Sequence, residues 1–350
     1  MSASETTLAG SWYELLARIG SGGMATIYVG RWRGAPRGAP LVAIKRMHAH
    51  LLRDRGAREA MLTEGNIGAR LRHPNMVSVH DVEDLGSELL LAMDYVEGAS
   101  LHDLLSMAPL LPRPVGVRII LDVAAGLAAL HALVGESGEP LDAVHRDVAP
   151  DNILVGLDGT TRLTDFGVVK AAGLGGEHTT QEGVVKGKYA YMAPEYLMGY
   201  AADARADVFS LAVVAFEVLA GKHPFRAATA ASTIHRVARM EAPRLSSVAT
   251  GLGGEFDAVI GRALAKNPAL RFGSVAAFAH ELSASAAWSG IAAPAHVSAT
   301  VRDLAGDALA NRRAHIDDEL AALESSGVHP RRQGASPPDT RQHSDFDERW

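Results

Sequence analysis

The sequence predicts an α+β chain of two unlike parts, a small β-rich one followed by a larger, mainly helical one. Three observations carry that reading. The chain has 350 residues, enough for two structural units at about 100 to 200 residues each. Hydrophobic residues make up 47% and charged residues 21%, the balance of a chain that collapses around a core. Along its length the pattern then changes from short β-like runs broken by Gly and Pro to apolar residues at helical spacing.

Residues 1–11 are polar and read as an N-terminal extension without a charged-then-apolar leader. Residues 12–93 carry the β-like runs and one helical stretch at 58–71. A short connection, 94–98, ends in Gly98 and marks the seam. Helical spacing dominates 99–284, at 101–133, 205–220, 230–240, 255–265 and 275–286. Residues 285–350 form a C-terminal extension, with a helix predicted at 298–323 and a disordered tail from its charge and its Pro337-Pro338 pair.

Composition excludes several function classes. A net charge of −6 gives no global positive field to attract a nucleic-acid backbone, so no nucleic-acid partner is expected. With no Cys, disulfides, thiolate zinc sites and a thiol nucleophile are excluded. The absence of an uninterrupted apolar run of about 18 residues predicts no membrane partner and a cytoplasmic location.

Chemistry-bearing motifs follow in order. Gly20, Gly22 and Gly23 sit in Ile19-Gly-Ser-Gly-Gly-Met-Ala25-Thr-Ile-Tyr28, where missing side chains let backbone N–H groups approach an anion. The β-branched and aromatic text after them predicts a link between two strands rather than a strand-to-helix turn; an ordinary hairpin is the other reading. Val42-Ala43-Ile44-Lys45 reads as a strand ending in a cation suited to polyphosphate, or simply a solvated strand end. Glu64, on the predicted helix, is a candidate ion-pair partner for Lys45, with Glu59 as its competitor.

The run His145-Arg-Asp147-Val-Ala149-Pro-Asp-Asn152, the β-like Ile153-Leu154-Val155 and then Thr164-Asp165-Phe-Gly167 place two carboxylates and an amide on loops bordering short strands. Asp165 and Asn152 supply the hard oxygens that Mg²⁺ on a phosphoryl donor requires, and Asp147 can accept or orient a hydroxyl proton.

With Ala193-Pro194-Glu195 completing the set, the sequence resembles the protein-kinase family, most of all its bacterial Ser/Thr branch. The resemblance runs from about Trp12 to Leu282 and extends to Asp207 and Arg271, which in that family brace the catalytic loop and pair with the Glu of Ala-Pro-Glu. It implies a bilobal protein-kinase fold with N-lobe 12–93, hinge 94–98 and C-lobe 99–284. It also implies an ATP- and Mg²⁺-dependent Ser/Thr kinase with protein substrates, self-associating for autophosphorylation in trans.

By the same resemblance ATP lies against Ile19, Gly20, Ser21, Gly22, Gly23, Met24, Ala25, Ile27 and Ala43. Met93 is the gatekeeper, backbone groups of Asp94 and Val96 hold adenine, and Leu154 completes the pocket beside Asn152 and Asp165. Lys45, held by Glu64, contacts the α- and β-phosphates. The segment with Gly173, Gly175, Gly176 and Gly183 reads as an activation loop. Within it Thr179 and Thr180 are either phosphate acceptors read by Arg146 or plain surface residues.

Two departures stand out. Ser/Thr kinases carry Lys where this chain has Ala149, and tyrosine kinases carry Arg where it has Asp151. Loss of one such donor is worth roughly 3 to 4 kcal/mol of transition-state stabilisation, which keeps a pseudokinase or weakly active ATP-binding scaffold as the alternative. Lys188 stands where these enzymes usually have Thr. It is expected either to extend beside Asp147 and restore the lost charge or to point to solvent. A small-molecule phosphotransferase is disfavoured by Glu195, Asp207 and Arg271.

Overall fold

The computed structural model describes residues 10–36, 38–166, 188–249 and 251–325. These form two compact units, one of residues 10–65, 78–95 and 310–325, the other of residues 66–77 and 96–309. The chain passes from one to the other between Tyr95 and Val96, within the 94–98 connection. Neither unit is one continuous stretch of sequence.

The first unit is a five-stranded antiparallel sheet in the order β1–β2–β3–β5–β4. Its strands are β1 (Tyr13–Ser21), β2 (Ala25–Trp32), β3 (Val42–Met47), β4 (Val79–Asp84) and β5 (Leu89–Asp94), with helix α1 (Arg55–Arg70) between β3 and β4. Because side chains alternate along a strand, register assigns them to faces. Tyr13, Leu15, Tyr28, Val42, Ile44, Leu90 and Ala92 make one apolar layer. On the other face Lys45 lies opposite Ile27 and Leu91, and Ala43 opposite Val29 and Met93. Helix α1 lies against that second face. At Gly65 an added Cβ would meet Val82 Cγ2 at 2.4 Å and Leu91 Cδ1 at 3.1 Å, so only glycine permits this approach.

The second unit opens with β6 (Gly98–Ser100), which forms a small sheet with β7 (Ile153–Gly156) and β8 (Thr161–Leu163). The helix expected over 101–133 is instead two, α2 (Leu101–Met107) and α3 (Arg113–His131). Pro109 and Pro112 lie in the break, where each removes a backbone donor and disfavours helix in the residue before it. By length and composition alone α3 is apolar enough to span a bilayer, but Val117, Ile119, Ile120, Val123, Leu127 and Leu130 are buried in the core. It is the central helix of this unit, packed on α5 (Arg205–Ala220) and α9 (Val275–Ser285). Around it lie α4 (Pro194–Leu197), α6 (Ala230–Arg239), α7 (Leu245–Val248) and α8 (Asp257–Ala263). The expected start of α8 at 255 is a 3₁₀ turn, Gly254–Phe256.

The C-terminal extension is built into both cores. Helix α10 (Pro294–Ser325) is longer than the 298–323 expected. Val297, Val301, Ala305 and Leu309, four residues apart, form one buried stripe in the second unit's core, and Ser298 Oγ donates to the Leu157 carbonyl at 2.6 Å. Beyond residue 309 the stripe continues as Ile316, Leu320 and Leu323 in the first unit, against Leu16, Ala17 and Val29 and bordered by Ile19 and Tyr95. A β-bulge makes this possible. The β1 register slips between Leu15 and Ala17, so Leu15 serves one face while Leu16 and Ala17 both serve the other.

Ile316 is fully buried, so Ile316→Ala should destabilise the first unit by about 2 to 5 kcal/mol. Native-state hydrogen exchange would show it as faster opening of β1 and β2 amides; unchanged protection there would contradict the packing described.

Candidate active site

The Gly20–Gly23 loop joins β1 to β2 as a hairpin, with the Gly22 N–H donating to the Ala25 carbonyl at 2.9 Å. A Cβ built at Gly20 or Gly22 meets nothing nearer than 3.9 Å. These glycines are therefore required neither by packing nor by backbone angle within the chain, and their missing side chains leave the loop backbone open to close approach by an anion. On the same face as Ile27, Ala43 and Met93, Lys45 Nζ donates to both Glu64 oxygens, at 2.8 and 2.9 Å. Glu59, the competing partner, is exposed.

At the end of β5, Asp94 donates its N–H to the Ser78 carbonyl at 2.9 Å. Its carboxylate accepts from the Ser78 N–H and pairs with His80 Nε2 at 2.8 Å. Burial alone would raise the Asp94 pKa, but these donors outweigh it and hold the carboxyl below its usual range.

In the second unit Asp207, on α5, has a fully buried side chain. It accepts from the backbone N–H groups of His145 (2.8 Å) and Arg146 (2.9 Å) and pairs with His131 Nε2 at 2.7 Å. Arg146 has φ of 64°, a left-handed conformation that a non-glycine residue holds only under external restraint. The next residue is Asp147, whose carbonyl accepts from Asn152 Nδ2 at 2.8 Å. The Thr164 N–H donates to the Asn152 carbonyl at 2.9 Å, tying the end of β8, and Asp165 beside it, to the Asn152 turn. Leu154 follows on β7.

Among the described residues no three His, Asp or Glu side chains form a metal cage. One carboxylate and one amide suit Mg²⁺, which keeps several waters and completes its shell with substrate phosphates. Asp165 and Asn152 fit that donor set.

Lys188 does not point to solvent. Its Nζ donates to Asp147 Oδ2 at 2.8 Å and to Asn152 Oδ1 at 3.4 Å. Burial would lower its pKa, but the carboxylates of Asp147, Asp165 and Asp151 outweigh that and hold the ammonium above the ordinary lysine range. The segment carrying it is anchored further on. Tyr191 Oη donates to Glu217 at 2.5 Å and its ring meets His223 edge-on at 4.9 Å. Glu195 is gripped by both Arg271 terminal nitrogens at 2.7 and 2.8 Å. His131, Glu217 and His223 were not singled out by the sequence; no spacing rule links them to the motifs they support. Gly167, the glycines from 173 to 183, Thr179 and Thr180 lie outside the described residues.

A family model described as a protein kinase domain matches residues 13–283. The chain belongs to the protein kinase family. The tyrosine-protein kinase MasK of Myxococcus xanthus is 33% identical over 274 residues, covering 77% of this chain and 42% of its own length. The serine/threonine-protein kinase PknL of Mycobacterium tuberculosis is 34% identical over 280 residues, covering 80% of this chain and 67% of its own. Among solved structures, the M. tuberculosis PknI kinase domain matches with a TM-score of 0.60 and 28% identity, over 80% of this chain and 98% of that one. This kinase chain thus spans under half of MasK and about two thirds of PknL.

In this kinase the Glu195–Arg271 pair is buried, so Arg271→Met should cost about 3 to 5 kcal/mol by stranding a carboxylate, and adding Glu195→Leu should recover much of it. Urea unfolding of both variants checks this; equal losses would contradict it.

A second expectation concerns pH. Burial first, then the neighbouring Arg226, lowers the His223 pKa to about 3, while its Nδ1 accepts from the Phe225 and Arg226 N–H groups. Below the unfolded-chain value of about 6.5 the unfolded state binds a proton that the folded state refuses, so stability falls as pH drops from there toward 3. Asn offers an acceptor at the Nδ1 position without titrating. His223→Asn should therefore flatten the stability–pH curve between pH 7 and 4 in urea titrations, and an unchanged slope would contradict it.

Proposed function

We propose that this chain is an ATP- and Mg²⁺-dependent Ser/Thr protein kinase, itself among its substrates, acting in cytoplasmic signalling. The observation that carries this reading is the fixed carboxylate of Asp147, bonded to Lys188 and joined through its carbonyl to Asn152. In this reading Lys45, oriented by Glu64, contacts the α- and β-phosphates, and the glycine-loop amides face the phosphate chain. Mg²⁺, when bound through Asp165 and Asn152, supplies charge neutralisation on phosphate oxygens. Asp147 aligns the acceptor hydroxyl and receives its proton as the oxygen bonds to the γ-phosphorus and the bond to the bridging oxygen breaks. The work is positioning and electrostatics.

A protein acceptor is supported by Glu195 and Arg271, which brace the Ala193-Pro194-Glu195 segment. For the hydroxyl type, relatives are named both ways, PknL as a serine/threonine kinase and MasK as a tyrosine kinase. Asp151, at the place where tyrosine kinases carry Arg, favours Ser and Thr. Ala149 supports the weaker reading, a scaffold that binds ATP without transferring phosphate.

Transfer of labelled phosphate from ATP·Mg²⁺ to the chain itself and to a generic basic protein tests this. Label is expected on Ser and Thr, with Asp147→Asn lowering the rate by about 10² to 10⁴. Nucleotide binding without transfer would establish the scaffold instead, and label on Tyr alone would overturn the acceptor assignment.

A further inference from the structure

Building on the kinase reading above, we propose that Lys188 is a catalytic residue. Its ammonium contacts the transferring γ-phosphoryl group and stands in for the lysine that Ala149 replaces.

Four observations converge. An ammonium has three N–H donors, and among the described residues Lys188 uses two, a short one on Asp147 Oδ2 and a long one on Asn152 Oδ1. One donor is left over, on an ammonium already seated beside the Asp147 carboxylate. The side chain is 31% exposed, covered enough to hold its direction and open enough for a phosphate oxygen to reach it. Its backbone is not a free loop, because Tyr191, Ala193 and Glu195, just beyond it, are buried and anchored through Glu217 and Arg271. Finally, the ammonium sits in the field of three carboxylates, Asp147, Asp151 and Asp165. A triphosphate brought there adds more negative charge, and Ala149, 1% exposed and part of the apolar core, supplies no donor against it.

In the transfer step the hydroxyl proton goes to Asp147, an oxygen–γ-phosphorus bond forms, and the bond to the β-γ bridging oxygen breaks with its electron pair leaving on ADP. Lys188 keeps its proton throughout. It contributes a preorganised charge at the γ-phosphoryl oxygens, where charge spreads in the transition state. The same ion pair read as an inhibitory clamp on Asp147 makes the opposite prediction, since removing Lys188 would then raise the rate.

The test uses the full chain. Lys188→Met should lower kcat by about 10² to 10³ while leaving Tm and nucleotide affinity close to those of the parent. Returning the charge from the other position, Lys188→Thr with Ala149→Lys, should bring kcat back to within about tenfold of the parent. Ala149→Lys alone should be impaired, because two ammonium groups then crowd one carboxylate. The proposal is overturned if Lys188→Met transfers phosphate as fast as the parent or faster. It is also overturned if the paired variant folds, by Tm, yet is no more active than Lys188→Thr; that comparison decides the matter should Lys188→Met not fold. An inactive Asp147→Asn beside a fully active Lys188→Met removes the lysine exchange and leaves the kinase reading standing. A parent chain that binds nucleotide without transferring phosphate removes that reading and this proposal together.

Discussion

One buried carboxylate holds the loop that starts at His145 in shape. Asp207 lies within the apolar helix α5, where a lone charge would be costly. Three donors compensate it, two of them backbone N–H groups of His145 and Arg146. Their geometry keeps Arg146 in a left-handed turn that its own side chain gives no reason to adopt. Asp147 comes immediately after that turn, so the direction of its carboxylate depends on a residue in the first turn of a distant helix.

A second anchorage works from the other side. Arg271 has a fully buried side chain, grips Glu195 with two nitrogens and also donates to the carbonyls of Ala265, Arg205 and Lys266. Together with the Tyr191–Glu217 hydrogen bond, it fixes the stretch that begins at Lys188. Two segments 41 residues apart, each held by its own buried polar network, therefore meet at a single ion pair. Such networks favour one arrangement because an unmatched member would be stranded in low dielectric.

Much of this was legible in the sequence, for identifiable reasons. Thr26 and Ile27 after the glycines are strand formers, and β2 does begin at Ala25. Motif order pointed to Lys45 with Glu64 and to Glu195 with Arg271, because the family resemblance pairs those positions. The break between α2 and α3 was missed although Pro109 and Pro112 mark it; the apolar text on either side masked it. His131, Glu217 and His223 carried no local signal, since each acts through a partner chosen by packing. The Ala-rich, charged text near the C-terminus predicted a helix at 298–323 but not the surfaces it covers. Those depend on a register slip at Leu16, which no pattern in β1 announces.

The packing of α10 also bears on where this domain ends. The family match stops at residue 283, before α10 starts at Pro294. Trimmed to that boundary, the chain would leave Leu16, Ala17 and Val29 bare at one edge of the sheet and strip Val297, Val301, Ala305 and Leu309 from the other unit. Adhesive strips of that kind draw proteins into aggregates. The packing described therefore draws on residues beyond the stretch that the family model matches.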